Sequence, residues 1–278
     1  MKKLGIVVTL VLLSVSVLFA QGGKEQAAST SGPEKVIIAT EGAYAPFNYI
    51  NEKGEVDGYD VAIAKAVDEL VPELEFQFQP VEWSSIFVGM ESGRYDIIIS
   101  EVSKNPAREE KYLFGDVPYE WGVSSIISKK GKPAYTSLDD LVGKKVDAGT
   151  GSYNTSVLEK YNAEHEGKIN IVYTDGDVTK MLLDIVNERV DATVNSPVTT
   201  KLIADQQGLD VQWTLRSDAT ISPVFFLYNK NAKGARYKSL IEPALKQVIE
   251  SGKAAEISKK YLGDDYSTKE AVEARLGK

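Results

Sequence analysis

Twice along this chain, short apolar runs alternate with segments of helical spacing, and that order restricts the fold more than any other feature. Val36–Thr40 reads as a strand. Gly58-Tyr-Asp-Val then opens a helix with Val61, Ala64, Val67 and Leu70 on one face, ended by Pro72. Leu74–Gln79 alternates as a half-buried strand should. Ile86, Phe87 and Met90 mark a short helix that Ser84 or Ser85 can cap and Gly93 stops, with Trp83 in the loop before it. Ile97–Ile99 is a third strand, and Tyr119–Ser128 is a long extended run. The alternation then restarts. A short helix at Leu138–Leu141 precedes strands at Lys145–Ala148, Ile169–Tyr173 and Ala192–Asn195, with helices from Thr155, over Met181–Val186 and from a Ser196 cap to Asp205. Val224–Tyr228 reads as one more strand, and two amphipathic helices near Tyr237–Glu250 and Ala254–Tyr261 close the chain. Strand–helix alternation produces largely parallel sheets flanked by helices, so the fold class is α/β, in two lobes joined by extended segments.

A second constraint sits where Ile97–Ile99 ends. The stretch Ser100-Glu-Val-Ser-Lys-Asn-Pro-Ala-Arg108 offers Asn105 as an N-cap and Pro106 as a first helical residue. In open α/β sheets, ligands bind at such strand-to-helix turns. Arg108 lies in the first turn, where its charge opposes the positive end of the helix macrodipole. A cation there asks for an anion: a ligand carboxylate held by two parallel hydrogen bonds, or simply Glu109 or Glu110 at the surface. The later half carries a glycine-rich turn, Gly149-Thr-Gly-Ser152, between a strand and a helix. It suits an anion but lacks the lysine of a P-loop and is not the dinucleotide fingerprint. Phe47 and Tyr59 are expected in the core, whereas Tyr44 and Trp83, beside polar turns, suit the walls of a ligand pocket.

The ends and the composition narrow the class. Residues 1–20 read as a cleavable secretory signal, with Lys2 and Lys3 ahead of an apolar run too short to span a membrane, and residues 21–34 as a flexible linker. The chain has no cysteine, which excludes disulfides, a lipidated cysteine anchor, a thiolate metal site and a cysteine nucleophile. The expected location is the periplasm. A net charge of −8 argues against nucleic acid and anionic membrane surfaces. The single histidine, His165, lies in a polar loop, so neither a zinc site nor a Ser/His/Asp set can be assembled, and no cofactor or metal is expected.

Several motifs, in this order, carry a resemblance: Thr40-Glu-Gly-Ala-Tyr-Ala-Pro-Phe47, Gly58-Tyr-Asp-Val61, Gly93-Arg-Tyr-Asp-Ile-Ile98, and Ser103 five residues before Arg108. Tyr112-Leu-Phe-Gly-Asp-Val-Pro-Tyr119, Thr150-Gly-Ser-Tyr-Asn154 and Arg189-Val-Asp-Ala192 complete the set. From Val36 to Leu262 the chain resembles the solute-binding proteins of ABC importers for polar amino acids, bacterial family 3, with wording closest to the cystine-type members. The resemblance implies a clam-shell periplasmic binding protein with two hinge crossings, near Tyr119–Ser125 and Asp218–Pro223. Lobe 1 would comprise residues 35–122 and 221–278, and lobe 2 residues 123–220. It implies that Arg108 grips the α-carboxylate of a free amino acid, cystine being the expected ligand, aided by N–H groups around Thr150, Gly151 and Ser152. Backbone and hydroxyl groups at Glu101 and Ser103 would help hold the α-ammonium, Glu41, Tyr44 and Trp83 would line the side-chain end, and Ser100, Tyr153, Asn195 and Ser196 would complete the ligand site. The resemblance further implies a monomer that docks transiently on ABC permease subunits, and no catalysis.

Two positions depart from the family pattern. Members usually carry an Asp where this chain has Ser196, and a small or amide residue where it has Glu101. Either the ammonium partner has moved to Glu101, since a buried cation needs a paired anion, or Glu101 points to solvent at the rim and the ligand lacks a free α-amine. A competing class is a binding-protein-like dehydratase of the cyclohexadienyl or arogenate type, with Glu101 as general acid. A sensor ectodomain is a third class, weakened because no membrane span or signalling domain follows Lys278.

Overall fold

The computed structural model describes residues 32–217 and 221–277, so the expected signal, most of the linker and the start of the second crossing lie outside the described residues. The chain begins with β1 (Glu34–Thr40) and a small antiparallel ribbon of β2 (Ala43–Tyr44), β3 (Asn48–Ile50) and β4 (Val56–Asp57). It continues through α1 (Tyr59–Asp68), β5 (Leu74–Pro80), α2 (Trp83–Glu91), β6 (Ile97–Ile98), α3 (Pro106–Lys111) and β7 (Tyr112–Phe114). Strand β8 (Glu120–Gly122) leads to β9 (Ser125–Lys129), a 3-10 turn at Asp139–Leu141, β10 (Lys145–Gly149), α4 (Tyr153–Glu164) and β11 (Asn170–Thr174). Then come α5 (Val178–Val186), β12 (Ala192–Asn195), α6 (Pro197–Gln207) and β13 (Val211–Leu215). The chain returns through β14 (Ser222–Val224) to β15 (Leu227–Asn229) and ends in α7 (Ala232–Glu250), α8 (Lys253–Leu262) and α9 (Lys269–Arg275).

Two five-stranded sheets result, in the orders β5-β1-β6-β15-β7 and β11-β10-β12-β9-β13. In each, four strands run one way and one, β15 or β9, runs against them. The fold is a two-lobed α/β architecture. Between the sheets the chain passes out along β8 and back along β14, and these two strands pair antiparallel, Glu120 opposite Val224.

Period-two alternation decides which face each residue covers. On β6, Ile97 joins Tyr59, Ile63, Val67, Ile241 and Leu245 of α1 and α7 on one face, while Ile98 joins Ile86 and Met90 of α2 on the other. In the second sheet Ile126 packs with Leu158 of α4, and its neighbour Ile127 packs with Leu182 and Ile185 of α5. Each fully buried Ile or Leu contributes roughly 1.5–3 kcal/mol. Both strands therefore read as continuous apolar runs because helices cover both faces.

The departures from expectation are local. Trp83 is the first residue of α2, and Glu82, with no side-chain cap, precedes it, so Ser84 and Ser85 lie inside the helix and do not cap it. Helix α1 stops at Asp68, leaving Leu70 half-exposed beyond it. Val224–Tyr228 is not one strand: Val224 pairs with Glu120 in the crossing ribbon, whereas Leu227 pairs with Ile98 and Phe114 in the first sheet. A third C-terminal helix, α9, follows a Thr268 cap, and with Val272 as its buried residue it has too short an apolar face to show in the sequence.

One core position makes a pH prediction. Asp147 on β10 is buried, and neither of its carboxyl oxygens has a hydrogen-bond partner. Burial, then the charge of Asp184, pushes its pKa up to about 6. Because the folded value lies above the unfolded one, its stabilising effect is complete at low pH and is lost as pH rises through about 6. Asp147→Asn is expected to flatten the loss of stability between pH 4 and pH 8, nearly all of which falls below about pH 6. At pH 8 it should raise stability by about 1 kcal/mol or more, measured by urea unfolding at both pH values.

Candidate functional site

The loop after β6 is fixed by its own side chains. Asn105 caps α3, its Oδ1 accepting the Arg108 N–H at 2.8 Å, with Pro106 in the first helical position. This turns the Arg108 side chain inward, where it is 6 % exposed. One terminal nitrogen donates to Ser103 O at 2.9 Å, and the other donates across the cleft to Gly151 O at 2.8 Å. The guanidinium lies over the Phe87 and Trp83 rings at 4.9 and 5.5 Å. Burial lowers its pKa to about 10, which leaves it a cation at neutral pH. Among the described residues no carboxylate pairs with it, and neither Glu109 nor Glu110 serves as its counter-ion.

The facing turn belongs to β10 and α4. Gly151 has φ +74, a left-handed backbone that suits glycine. Ser152 caps α4 by accepting the Thr155 N–H at 3.0 Å. The N–H of Thr150 donates to Thr174 O and that of Ser152 to Gly149 O, both at 3.0 Å. In this arrangement those two groups serve the turn itself. Two further hydrogen bonds cross between the lobes: Trp83 Nε1 donates to Thr150 O at 3.1 Å, and Tyr44 Oη donates to Asn195 Oδ1 at 2.8 Å.

Of the residues nominated from sequence, Glu41, Tyr44, Trp83, Ser100, Glu101, Ser152, Tyr153 and Asn195 line one cavity. Ser103 and Ser196 line an adjoining chamber that shares Tyr44, Glu101 and Tyr153 with it. Arg108 and Gly151 face a neighbouring cleft, which meets the first cavity at Ser152 and Tyr153. Thr150 lines none of these, its hydroxyl being spent on Thr174 O at 2.9 Å. Ser196 Oγ accepts the Val198 N–H as the cap of α6. Phe47 and Tyr59 are core residues, Phe47 backing Tyr44 with ring centroids 5.4 Å apart. His165 ends α4 and stacks on Tyr161, in the exposed position expected of it.

Sequence reading missed the acidic cluster beneath the cavity. Glu101 holds a left-handed φ of +51, costly for a residue with a side chain. Its carboxyl is buried, not at the rim, with Oε1 unpartnered. Asp60 accepts from Asn48 Nδ2 at 2.7 Å and from Tyr119 Oη at 3.0 Å, and Tyr119 Oη in turn accepts the Glu101 N–H. Glu120 is 1 % exposed, with Oε2 unpartnered. Burial, then the charges of Glu120 and Asp60, pushes Glu101 well above the usual carboxylate range. Burial, then Asp60, does the same to Glu120. Burial raises Asp60 to about 6 against hydrogen bonds that lower it, and Glu41 rises to about 7 through burial and the charges of Glu82, Asp177 and Asp60. The available signal was Glu120 itself, a carboxylate inside an extended apolar run.

Two lobes, meeting through side chains at a cleft floored by carboxyls and edged by one buried arginine, define a two-lobed ligand-binding protein. The chain matches the bacterial extracellular solute-binding proteins, family 3, over residues 36–264, and it belongs to that family. The L-cystine-binding protein TcyJ of Bacillus subtilis is 28 % identical over 267 residues, covering 96 % of this chain and 97 % of that protein. A solved structure from work on glutathione import through GshT and the cystine ABC importer TcyBC of Streptococcus mutans is 26 % identical. It superposes with a TM-score of 0.77 over 85 % of this chain and 98 % of that one. The arginine-, lysine-, histidine-binding protein ArtJ of Geobacillus stearothermophilus, 26 % identical, superposes with a TM-score of 0.74 over 88 % and 100 %.

Proposed function

We propose that this chain is the substrate-binding component of an ABC importer, capturing a polar amino acid, cystine among the candidates, and delivering it to membrane subunits. The observation that carries the reading is Arg108, a buried cation without an anion whose guanidinium reaches both lobes. A ligand α-carboxylate supplies the missing charge. The α-ammonium falls to Glu101, which takes over from the acid absent at Ser196, with Ser100 and Ser103 beside it. Glu41, Tyr44 and Trp83 wall the rest of the cavity, and Tyr153 and Asn195 close it from the other lobe. A ligand that touches both walls favours their approach, because only the closed form makes both sets of contacts. On this reading residues 35–122 and 221–278 move against residues 123–220 about the β8–β14 ribbon. The mature protein is a periplasmic monomer, freed from a signal ending near Ala20.

A thermal-shift screen over the twenty amino acids and cystine tests this. At 100 times Kd the true ligand adds about 2.7 kcal/mol of stability. A chain that responds to none of them does not have this function. Binding without chemistry is expected, so prephenate and arogenate should both survive incubation with the purified protein.

The carboxyls also predict a pH dependence. Pairing with an ammonium favours the ionised form, so ligand affinity is highest above the pKa values of the unliganded site and falls as protons compete. With Glu101 held above the usual carboxylate range and Glu41 near 7, affinity for an α-amino ligand should fall about tenfold or more from pH 8 to pH 5. Calorimetric titration at the two pH values measures this, and a flat profile would remove the carboxyls from ligand recognition.

A further inference from the structure

The chamber beside the amino-acid cavity holds more acceptor chemistry than one α-ammonium uses. Glu101 stands at the junction, lining both spaces. Beyond it the second chamber is walled by Glu120 and by the residues Ser103, Ser124, Ser196 and Ser222. Among the described residues its lining contains two carboxyls and no Lys, Arg or His. Both carboxyls keep a buried oxygen without a hydrogen-bond partner, Oε1 of Glu101 and Oε2 of Glu120. They come from separate elements, Glu120 from the crossing strand β8 and Glu101 from the loop after β6, so the fold itself brings them together. An apolar ligand end would leave the Glu120 oxygen unpaired in a buried site. A neutral amide or hydroxyl could donate to it but would bring no charge to balance two carboxyls. An ammonium or guanidinium, which only donates, would satisfy it, and serine hydroxyls can accept the remaining N–H groups. The passage between the two spaces is flanked by Tyr44 and Tyr153, which line both and offer ring faces to methylenes or sulfur.

We infer that this second chamber takes a cationic group of the ligand other than its α-ammonium, so that the amino acid captured here carries two positive charges. The inference rests on the reading that an amino acid occupies the adjoining cavity. The same chemistry has two sources: a basic side chain, as in lysine or arginine, or the second α-amine of a disulfide-linked pair such as cystine.

Calorimetric titration of the wild-type protein and Glu120→Gln with lysine, arginine, cystine and glutamine tests it, glutamine being the neutral counterpart. The wild-type protein should bind at least one of the three dications about tenfold or more tighter than glutamine. Glu120→Gln should lower that affinity by about tenfold or more while leaving glutamine unchanged. Which dication responds identifies the source. The melting temperature of the variant without ligand should not fall, since a buried unpaired carboxyl has been neutralised. Should the amide prevent folding, Glu120→Asp keeps the charge but withdraws it by one methylene, and it should weaken the dications alone. Glutamine binding as tightly as every dication, or a variant weakened equally toward all four, overturns the inference and leaves amino-acid capture standing. No binding of any amino acid to the wild-type protein overturns both.

Discussion

Arg108→Ala will fold and will bind no α-carboxylate ligand measurably: the thermal shift given by the true ligand should vanish. A guanidinium has five N–H donors. Two are committed, to Ser103 O and Gly151 O, so three remain for a carboxylate without breaking either bond. Stacking over Phe87 and Trp83 holds the plane of the group before the ligand arrives, which lowers the ordering cost of binding. Removing one partner of a buried charge pair costs about 2–5 kcal/mol, roughly 30- to 5000-fold in affinity, mostly because the carboxylate is left buried and unpaired. Arg108→Lys keeps the charge but not the fork geometry and should fall in between. Loss of the bonds to Ser103 O and Gly151 O leaves the two sheets and their cores intact, so the melting temperature without ligand serves as the folding control. An undiminished shift in Arg108→Ala would remove this residue from ligand recognition.

Glu101→Gln is expected to have two opposite effects, weaker ligand binding and a more stable protein without ligand. Glu101 is buried beside Glu120 and Asp60, whose charges raise the cost of ionising it. Neutralising it removes that repulsion. An α-ammonium, however, loses its anion. Affinity for an α-amino ligand should drop by about tenfold to several hundredfold, while a deaminated analogue should bind the variant as well as the wild type. Equal loss for both ligands would mean that the substitution distorts the left-handed loop at Glu101. No loss for either would place the ammonium elsewhere.

What the sequence disclosed, and what it hid, follows from the range of the interactions. The Asn105–Pro106–Arg108 turn is legible because the cap, the proline and the arginine fall within four residues and each has a local reason for its place. The Gly149–Ser152 turn is legible for the same reason. The core faces of β6 and β9 follow from apolar runs that two layers of helices must cover. The acid cluster is different. Asp60 opens α1, Glu101 follows β6 and Glu120 lies in the crossing ribbon, so only the folded chain makes neighbours of them. Asp60 in particular reads as an ordinary acid in a first helical turn. Val224–Tyr228 misled for a related reason. Its apolar run is continuous, yet Phe225 and Phe226 face different cores between two strands that belong to different sheets.

An amino acid that binds between the lobes should draw them together. The natural absence of cysteine allows a single pair to be placed at will, at Val88 and Lys160, exposed positions on either side of the Arg108 cleft. With spin labels at both, pulsed-dipolar distances are measured while the amino acid identified by the thermal-shift screen is titrated. One-to-one saturation is expected, with the distance distribution shortening and narrowing in step with occupancy and not responding when Arg108 is Ala. Saturation with an unchanged distance distribution, or no saturation by any amino acid, would contradict this reading.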